Sequence, residues 1–204
     1  MELFFSPLSC SLASRITLYE AGLPADYTRV DGKTKTTSDG RNYLEINPRG
    51  QVPALRIEGG EVLTENVSVL QYLGELAPAS GLVPSSGIER VRMRKWLGFV
   101  NSELHVSALG LMFSSRASDA SKADAAERAR HALAHLDRHL AGRDWLTDSY
   151  TVADAYLAVV SNWTQALPVK LDACPNVLAH QKRVFARPAA KRAMMEEAAL
   201  YQAA

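Results

Sequence analysis

The period of the apolar residues changes once along this chain, at the Pro-, Gly- and Ser-rich stretch from Pro78 to Gly87, and that change limits the fold more than any other feature. Upstream, strand-like and helix-like patterns alternate. Downstream, only the helical period of 3.6 remains. A linker over 78–87 therefore separates a mixed α/β domain, residues 1–80, from an all-helical domain, residues 88–204. Charge divides at the same place: residues 1–80 carry 7 basic and 10 acidic side chains, residues 81–204 carry 16 and 12.

In the first half, the apolar run Leu3-Phe4-Phe5 reads as a strand ended by Ser6-Pro7. Leu12, Ile16 and Tyr19 then mark a helix stopped by Gly22. Tyr27 to Val30 suits a second strand and Asn42 to Ile46 a short helix. Val52 to Ile57 and Glu61 to Leu63 suit a strand pair about Gly59-Gly60, and Val67, Leu70 and Leu73 a closing helix. The order expected is βαβαββα. In the second half helices are expected over 90–115, 121–141, 152–167, 175–186 and 188–200, and Thr151 with Asp154 forms a capping box at the start of the third. No fixed-period repeat points to a solenoid.

Net charge is +1 over 204 residues with 47% apolar content, which excludes a disordered chain and a dedicated nucleic-acid or anionic-membrane binder. Cys10 and Cys174 are too few for a disulfide scaffold and lie in no zinc-spaced cluster. No signal peptide and no run of 18 apolar residues is apparent, so a cytoplasmic protein is expected. His131, His135 and His139 recur every four residues. The first and third lie about 12 Å apart along a helix, too far for one ion, so they read as a polar face and no metal is expected. Cys174, before Pro175, reads as structural.

Three groups of residues carry chemistry. Cys10 follows a strand and a Pro-containing loop and directly precedes a helix, whose unpaired N–H groups and positive dipole end lower a thiol pKa. A drop of about two units raises the thiolate fraction at pH 7 from roughly 3% to roughly 75%, yet lower intrinsic reactivity leaves only about a threefold kinetic gain. Such a thiolate leaves well from a mixed disulfide. Position alone equally allows a small side chain packed beneath the helix. Val52-Pro53, if cis, turns the Val52 backbone outward with N–H and C=O free to pair with an extended peptide-like ligand. Thr64-Glu65-Asn66 opens a helix whose N–H groups suit a carboxylate while Glu65 suits an ammonium, together an α-amino acid, although plain capping explains the same residues.

Ser6-Pro7-Leu8-Ser9-Cys10-Ser11-Leu12, Asn47 to Leu55, Leu63-Thr64-Glu65-Asn66 and Thr151 to Tyr156, in this order, closely resemble the glutathione S-transferases, and Cys10 points to the bacterial beta class. The resemblance implies a thioredoxin-like first domain that binds glutathione as co-substrate and a helical second domain lining the pocket for a small hydrophobic electrophile. It implies a homodimer in which the first domain of one subunit meets the second domain of the other. It places Cys10 beside the glutathione sulfur, Lys35 at the glycine carboxylate, the Val52 backbone beside cis Pro53 on the cysteinyl unit, and Glu65 with Asn66 on the γ-glutamyl end. His105, within Trp96 to His105, corresponds to the beta-class histidine that reaches the sulfur site. Gly98 stands where relatives commonly have Asn, so a glutathione contact from this helix is expected either to be weaker or to pass to Asn101 or Ser102. The activity implied is conjugation of glutathione to electrophiles, with Cys10 able to hold glutathione as a mixed disulfide. The alternative is a glutathione- or ligand-binding protein of the same fold with negligible turnover.

Overall fold

The computed structural model describes residues 1–202. The first half contains β1 (Glu2–Phe5), α1 (Ser11–Ala21), β2 (Asp26–Arg29), α2 (Tyr43–Ile46), β3 (Ala54–Arg56), β4 (Val62–Leu63) and α3 (Asn66–Leu76). This is the expected βαβαββα order. The sheet runs β2-β1-β3-β4, with β1 parallel to β2 and antiparallel to β3, and β3 antiparallel to β4.

Strand β1 explains why its sequence is an unbroken apolar run. Successive side chains point to opposite faces, and both faces are covered. Leu3 and Phe5 join Leu18, Leu55, Val69 and Leu73 on one side. Phe4 joins Val30, Tyr43 and Ala54 on the other.

Helix α1 departs from the single stripe of Leu12, Ile16 and Tyr19: every residue from Ser11 to Leu18 is buried. Its buried hydroxyls are therefore hydrogen-bonded, and its buried arginine is paired by charge. Ser14 Oγ donates to Asn66 Oδ1 at 2.8 Å, and Thr17 Oγ1 to the Ala13 carbonyl at 2.9 Å. The Arg15 guanidinium lies 4.2 Å from the Tyr27 ring centre and within 3.5 Å of both Glu196 and Glu197.

The second half begins with α4 (Gly87–Phe99), which continues as a π-helical segment (Val100–Leu109) and a closing turn, α5 (Gly110–Met112). Then follow α6 (Asp119–Leu140), α7 (Val152–Asn162), α8 (Pro175–Phe185) and α9 (Pro188–Gln202). All residues of α7 from Val152 to Ser161 are buried, so it is the central helix. The expected capping box is present, and its acid has a larger task. Buried Asp154 accepts the Leu146 and Thr151 N–H groups, both at 2.8 Å, and lies 2.9 Å from His180 Nε2. Four polar groups thus converge on one carboxylate where α7 begins, among them the Thr151 hydroxyl.

The chain divides into two compact units, and the boundaries differ from the expected 1–80 and 88–204. One unit is Met1–Val83 together with the segment from Arg187 onward; the other is Pro84–Ala186. Two physical reasons account for this. Within the expected linker, Leu82 and Val83 are buried, and a Cβ on Gly74 would come within 2.4 Å of Val83 Cγ2, so only glycine in α3 lets this segment pack so closely. Helix α9 is tied to α1: Arg187 makes a two-pronged pair with Glu20 at 2.6 and 2.8 Å, the Tyr19 hydroxyl donates to Glu196 at 2.6 Å, and Leu200 packs on the Leu3 cluster.

Candidate active site

In the first unit the loop after β1 is anchored from three directions. Ser6 Oγ donates to the Val30 carbonyl at 2.7 Å, Ser9 and Ser11 hydroxyls lie 2.7 Å apart, and Leu8, with φ of +60°, donates its N–H to Glu197 Oε2 at 2.8 Å. The loop delivers Cys10 to the N-cap of α1, where the sequence places it.

The thiol there differs from the expected thiolate. Cys10 is only 8% exposed, and its Sγ donates to the Val52 carbonyl at 3.3 Å. Burial pushes its pKa up to about 12; the N–H groups of Cys10 and Ser11 act in the opposite direction, and Glu197 and Glu65 add to the rise. Desolvation therefore outweighs the helix end, and a bond donated to a carbonyl stabilises the neutral form further. The predicted lowering of the thiol pKa is thus reversed.

The Val52-Pro53 bond is cis, as the sequence suggested. Tyr43 Oη and Asn47 Nδ2 both donate to the Gln51 carbonyl at 2.7 Å, which fixes the approach to the turn. The Val52 carbonyl is not free, because Cys10 uses it. Among the described residues the Val52 N–H has no protein acceptor. Lys35, with φ of +57°, reaches this turn and donates from Nζ to the Gly50 carbonyl at 2.8 Å. A Cβ on Gly50, itself at φ +62°, would press on the Lys35 side chain at 3.2 Å.

At the start of α3, Glu65 adopts φ of +63° with its side chain 59% exposed, and Arg49 Nη1 pairs with it at 2.9 Å. Asn66 is buried, and both ends of its amide are committed to the scaffold: Nδ2 donates to the Cys10 carbonyl at 3.2 Å and Oδ1 accepts from Ser14. Its side chain thus locks α1 to α3, which leaves the backbone N–H of the first turn as the group that can face an anion. Cys10, Lys35, Val52, Pro53, Glu65 and Asn66 are accordingly joined through one bonded set of segments.

The second unit holds a separate constellation. His105 lies in the π-helical segment, where Nδ1 is 2.6 Å from the Tyr156 hydroxyl, and that hydroxyl donates to Asn101 Oδ1 at 3.0 Å. The imidazole stands edge-on to Trp163 at 4.9 Å between ring centres. Burial pushes its pKa down to about 4, so it is neutral at physiological pH. Asn101, one of the two residues expected to replace the missing Asn at Gly98, is engaged with Tyr156. Ser102 donates back to the Gly98 carbonyl at 3.0 Å.

His131 is exposed, His135 contacts Trp96 and Phe99, and His139 Nε2 donates to the Leu146 carbonyl at 2.9 Å, so the three serve different ends. Among the described residues no group of three or more His, Cys, Asp or Glu could hold a metal, and no helix is long and apolar enough to cross a membrane. Cys174 caps α8 beside Pro175 and is buried, which raises its pKa.

Residues not singled out from sequence are Arg49, Tyr156 and Glu197. Glu197 left a signal, since it shares the buried face of α9 with Ala190 and Ala193 at i, i+3 and i+7 spacing. Tyr156 left none, because its hydroxyl matters only through segments about fifty residues away.

Residues 9–76 match the family model for the glutathione S-transferase N-terminal domain and residues 95–188 that for the C-terminal domain. The glutathione S-transferase GstA of Escherichia coli O157:H7 is 34% identical over 97% of this chain and 98% of its own length. A sphingomonad glutathione S-transferase, solved in complex with glutathione, superposes with a TM-score of 0.92 at 39% identity, covering 97% of this chain and 99% of that one. The bacterial beta-class enzyme of Sphingomonas chungbukensis gives a TM-score of 0.92 at 35% identity over 97% and 98%. With a relative above 30% identity across nearly the whole length, and a first unit that holds a cis-proline turn against Cys10, the chain belongs to the glutathione S-transferase family and is a glutathione transferase.

Proposed function

We propose that this enzyme binds glutathione in its first unit and conjugates it to small hydrophobic electrophiles. The observation that carries the reading is the Val52-Pro53 turn: an N–H without a protein acceptor, its own carbonyl on the Cys10 thiol, and the start of α3 tied to the same cysteine through Asn66. The Val52 N–H would pair with the cysteinyl unit. Glu65 would take the ammonium, the first-turn N–H groups of α3 the γ-glutamyl carboxylate, and Lys35 the glycine carboxylate.

In the reaction the glutathione sulfur gives its proton to solvent and the thiolate attacks the electrophilic carbon to form a thioether, with halide leaving from an aryl halide, or with the electron pair of the epoxide C–O bond or the enone π bond passing to the substrate and being protonated there. A free thiol of pKa about 8.5 is only a few per cent ionised at pH 7, so the catalytic gain lies in stabilising that thiolate. The α1 N-terminus supplies N–H and dipole stabilisation, and the Cys10 S–H, neutral at pH 7, adds to it by turning its single proton from the Val52 carbonyl to the bound sulfur. This assigns Cys10 a donor role; the mixed-disulfide role would require it to lose a proton that burial holds. His105 is the second catalytic group. The enzyme acts as a cytoplasmic homodimer, for which light scattering should return twice the chain mass of 22.3 kDa; a mass near 22.3 kDa at micromolar concentration overturns that part.

Calorimetric titration with glutathione tests the binding reading. Glu65→Ala should weaken affinity about tenfold, near 1.4 kcal/mol, because a charge-assisted contact is lost from an exposed site. Unchanged affinity removes Glu65 from the γ-glutamyl end. Glutathione binding without turnover of an activated aryl halide, an enone or an epoxide would replace the transferase reading with that of a ligand-binding protein.

A further inference from the structure

Two lysines share the loop between β2 and α2, and the fold treats them differently. Lys33 is exposed, whereas Lys35 is half-buried and its Nζ donates to the Gly50 carbonyl at 2.8 Å. Gly50 stands two residues before Val52, so the ammonium is delivered to the turn that would take the cysteinyl unit. The backbone at Lys35 has φ of +57°, in the left-handed region that a lysine rarely adopts unaided.

Asp31 builds that conformation. Its Oδ1 accepts the Lys33 N–H at 2.7 Å and the Thr34 N–H at 2.9 Å, its carbonyl accepts the Lys35 N–H at 3.0 Å, and its own N–H donates to the Thr36 carbonyl at 2.9 Å. One residue thus fastens the main chain of four consecutive residues, 33 to 36. The Thr34 and Lys33 N–H groups hold the Asp31 carboxyl below its usual range, so these bonds are made by a carboxylate at neutral pH. The other side of Lys35 is fixed by buried Tyr43, whose N–H donates to the Lys35 carbonyl at 2.8 Å and whose Oη donates to the Gln51 carbonyl at 2.7 Å. A single rigid side chain therefore spaces Lys35 from the cis-proline turn.

We propose that Asp31 is a positioning residue that folds the 31–36 loop so that Lys35 stands ready for a carboxylate, and that it thereby sets the preference of this enzyme for glutathione over thiols that lack the glycine unit. This deepens the proposed function and rests on its assignment of Lys35 to the glycine carboxylate.

Charge and geometry act in opposite directions at Asp31. As a charge it weakens the attraction of the loop for a carboxylate. As a scaffold it removes the cost of ordering a long, flexible lysine on binding. Removing the side chain therefore tightens glutathione binding if charge dominates and weakens it if positioning does.

The test is calorimetric titration of the full-length enzyme with glutathione and with γ-glutamylcysteine, which ends before the glycine. Asp31→Ala should weaken glutathione about fivefold and γ-glutamylcysteine less than twofold. Asp31→Asn, which loses the charge but keeps the Oδ1 acceptor, should bind both within twofold of the parent. Lys35→Ala should lose the preference for glutathione, and adding Asp31→Ala to it should cost less than a further twofold. In turnover, Asp31→Ala should raise KM for glutathione about fivefold with kcat within twofold. Tighter or unchanged glutathione binding in Asp31→Ala, or equal weakening of both thiols, overturns the proposal. Loss of the preference in Lys35→Ala but not in Asp31→Ala overturns the positioning role alone. A Lys35→Ala enzyme that keeps the parent preference overturns the glycine-carboxylate assignment of Lys35, and the proposal with it.

Discussion

Cys10, buried in the first unit, and His105, half-buried in the second, are both held in their neutral forms at pH 7, yet by different means. Cys10 is fixed through main-chain groups: its thiol meets the Val52 carbonyl, its own carbonyl accepts from the Asn66 side chain, and three separate connections nearby pass through Leu8, Lys35 and Glu65 at positive φ. His105 is held by side chains, through Tyr156 of α7 and, beyond it, Asn101 of the same π-helical segment. A site made from backbone can tolerate many side-chain changes but depends on the anchors that shape its loop. A site made from side chains depends on single functional groups, here the Tyr156 hydroxyl on which His105 and Asn101 meet.

The largest expected effect separates the two units by pH. Glu197, which anchors the Leu8 N–H, is buried, and that burial pushes its pKa up from 4.5 to about 7. The folded state then holds the proton more tightly than the unfolded one. Its stabilising contribution is complete below pH 4.5 and is lost as pH rises through 7. His105 has the opposite sign: its pKa falls from 6.5 to about 4, so its contribution is complete above 6.5 and is lost as pH falls through 4. Each effect amounts to about 3 kcal/mol at most, and between pH 4.5 and 6.5 they oppose one another. Urea midpoints should be nearly flat across that window in the parent. Glu197→Gln, which keeps an acceptor for Leu8, should expose a stability that rises with pH, and His105→Gln one that falls. Parallel slopes in the two variants would break the comparison.

A smaller effect tests what the neutral thiol does. Cys10→Ala should lower conjugation five- to tenfold, and Cys10→Ser, whose hydroxyl can donate from the same place, should return it to within threefold of the parent. Mixed-disulfide reduction at pH 7 should differ less than threefold between parent and Cys10→Ser. A loss beyond tenfold there would put a Cys10 thiolate back into the reaction.

The smallest effect concerns Arg49, which holds Glu65 at 2.9 Å on an exposed part of the site. Exposed pairs contribute about 0–1 kcal/mol, so releasing Glu65 for the glutathione ammonium should tighten binding in Arg49→Ala by about twofold. Weaker binding in calorimetry would instead make Arg49 a direct glutathione contact.

Much of this protein could be read from its residues because the signals are local. The βαβαββα order follows from short-range periods and turn residues, and the capping box needs only Thr151 and Asp154, whereas the cis form of Val52-Pro53 comes from the family resemblance and not from the position of Pro53. Residue types and position likewise single out Cys10, Val52, Glu65 and Asn66, whereas Lys35 and His105 come from the resemblance to the glutathione S-transferases. What local signals could not reveal were quantities that depend on the surroundings in space. The position of Cys10 at a helix N-terminus argues for a thiolate, and only the packed structure shows that desolvation reverses that argument. Asn66 reads as a ligand contact until Ser14 and the Cys10 carbonyl are seen to occupy it.

The sequence by itself therefore determined the kinds of elements, their order, and the residues whose chemistry matters. Tertiary structure alone decided that α9 joins the first unit, that burial holds the proton on the Cys10 thiol, and that Tyr156 brings His105 and Asn101 onto one hydroxyl. The physical reason is the same in each case: periodicity and capping act over a few neighbouring residues, whereas burial, protonation and hydrogen-bond direction are set by groups that folding brings together from distant positions.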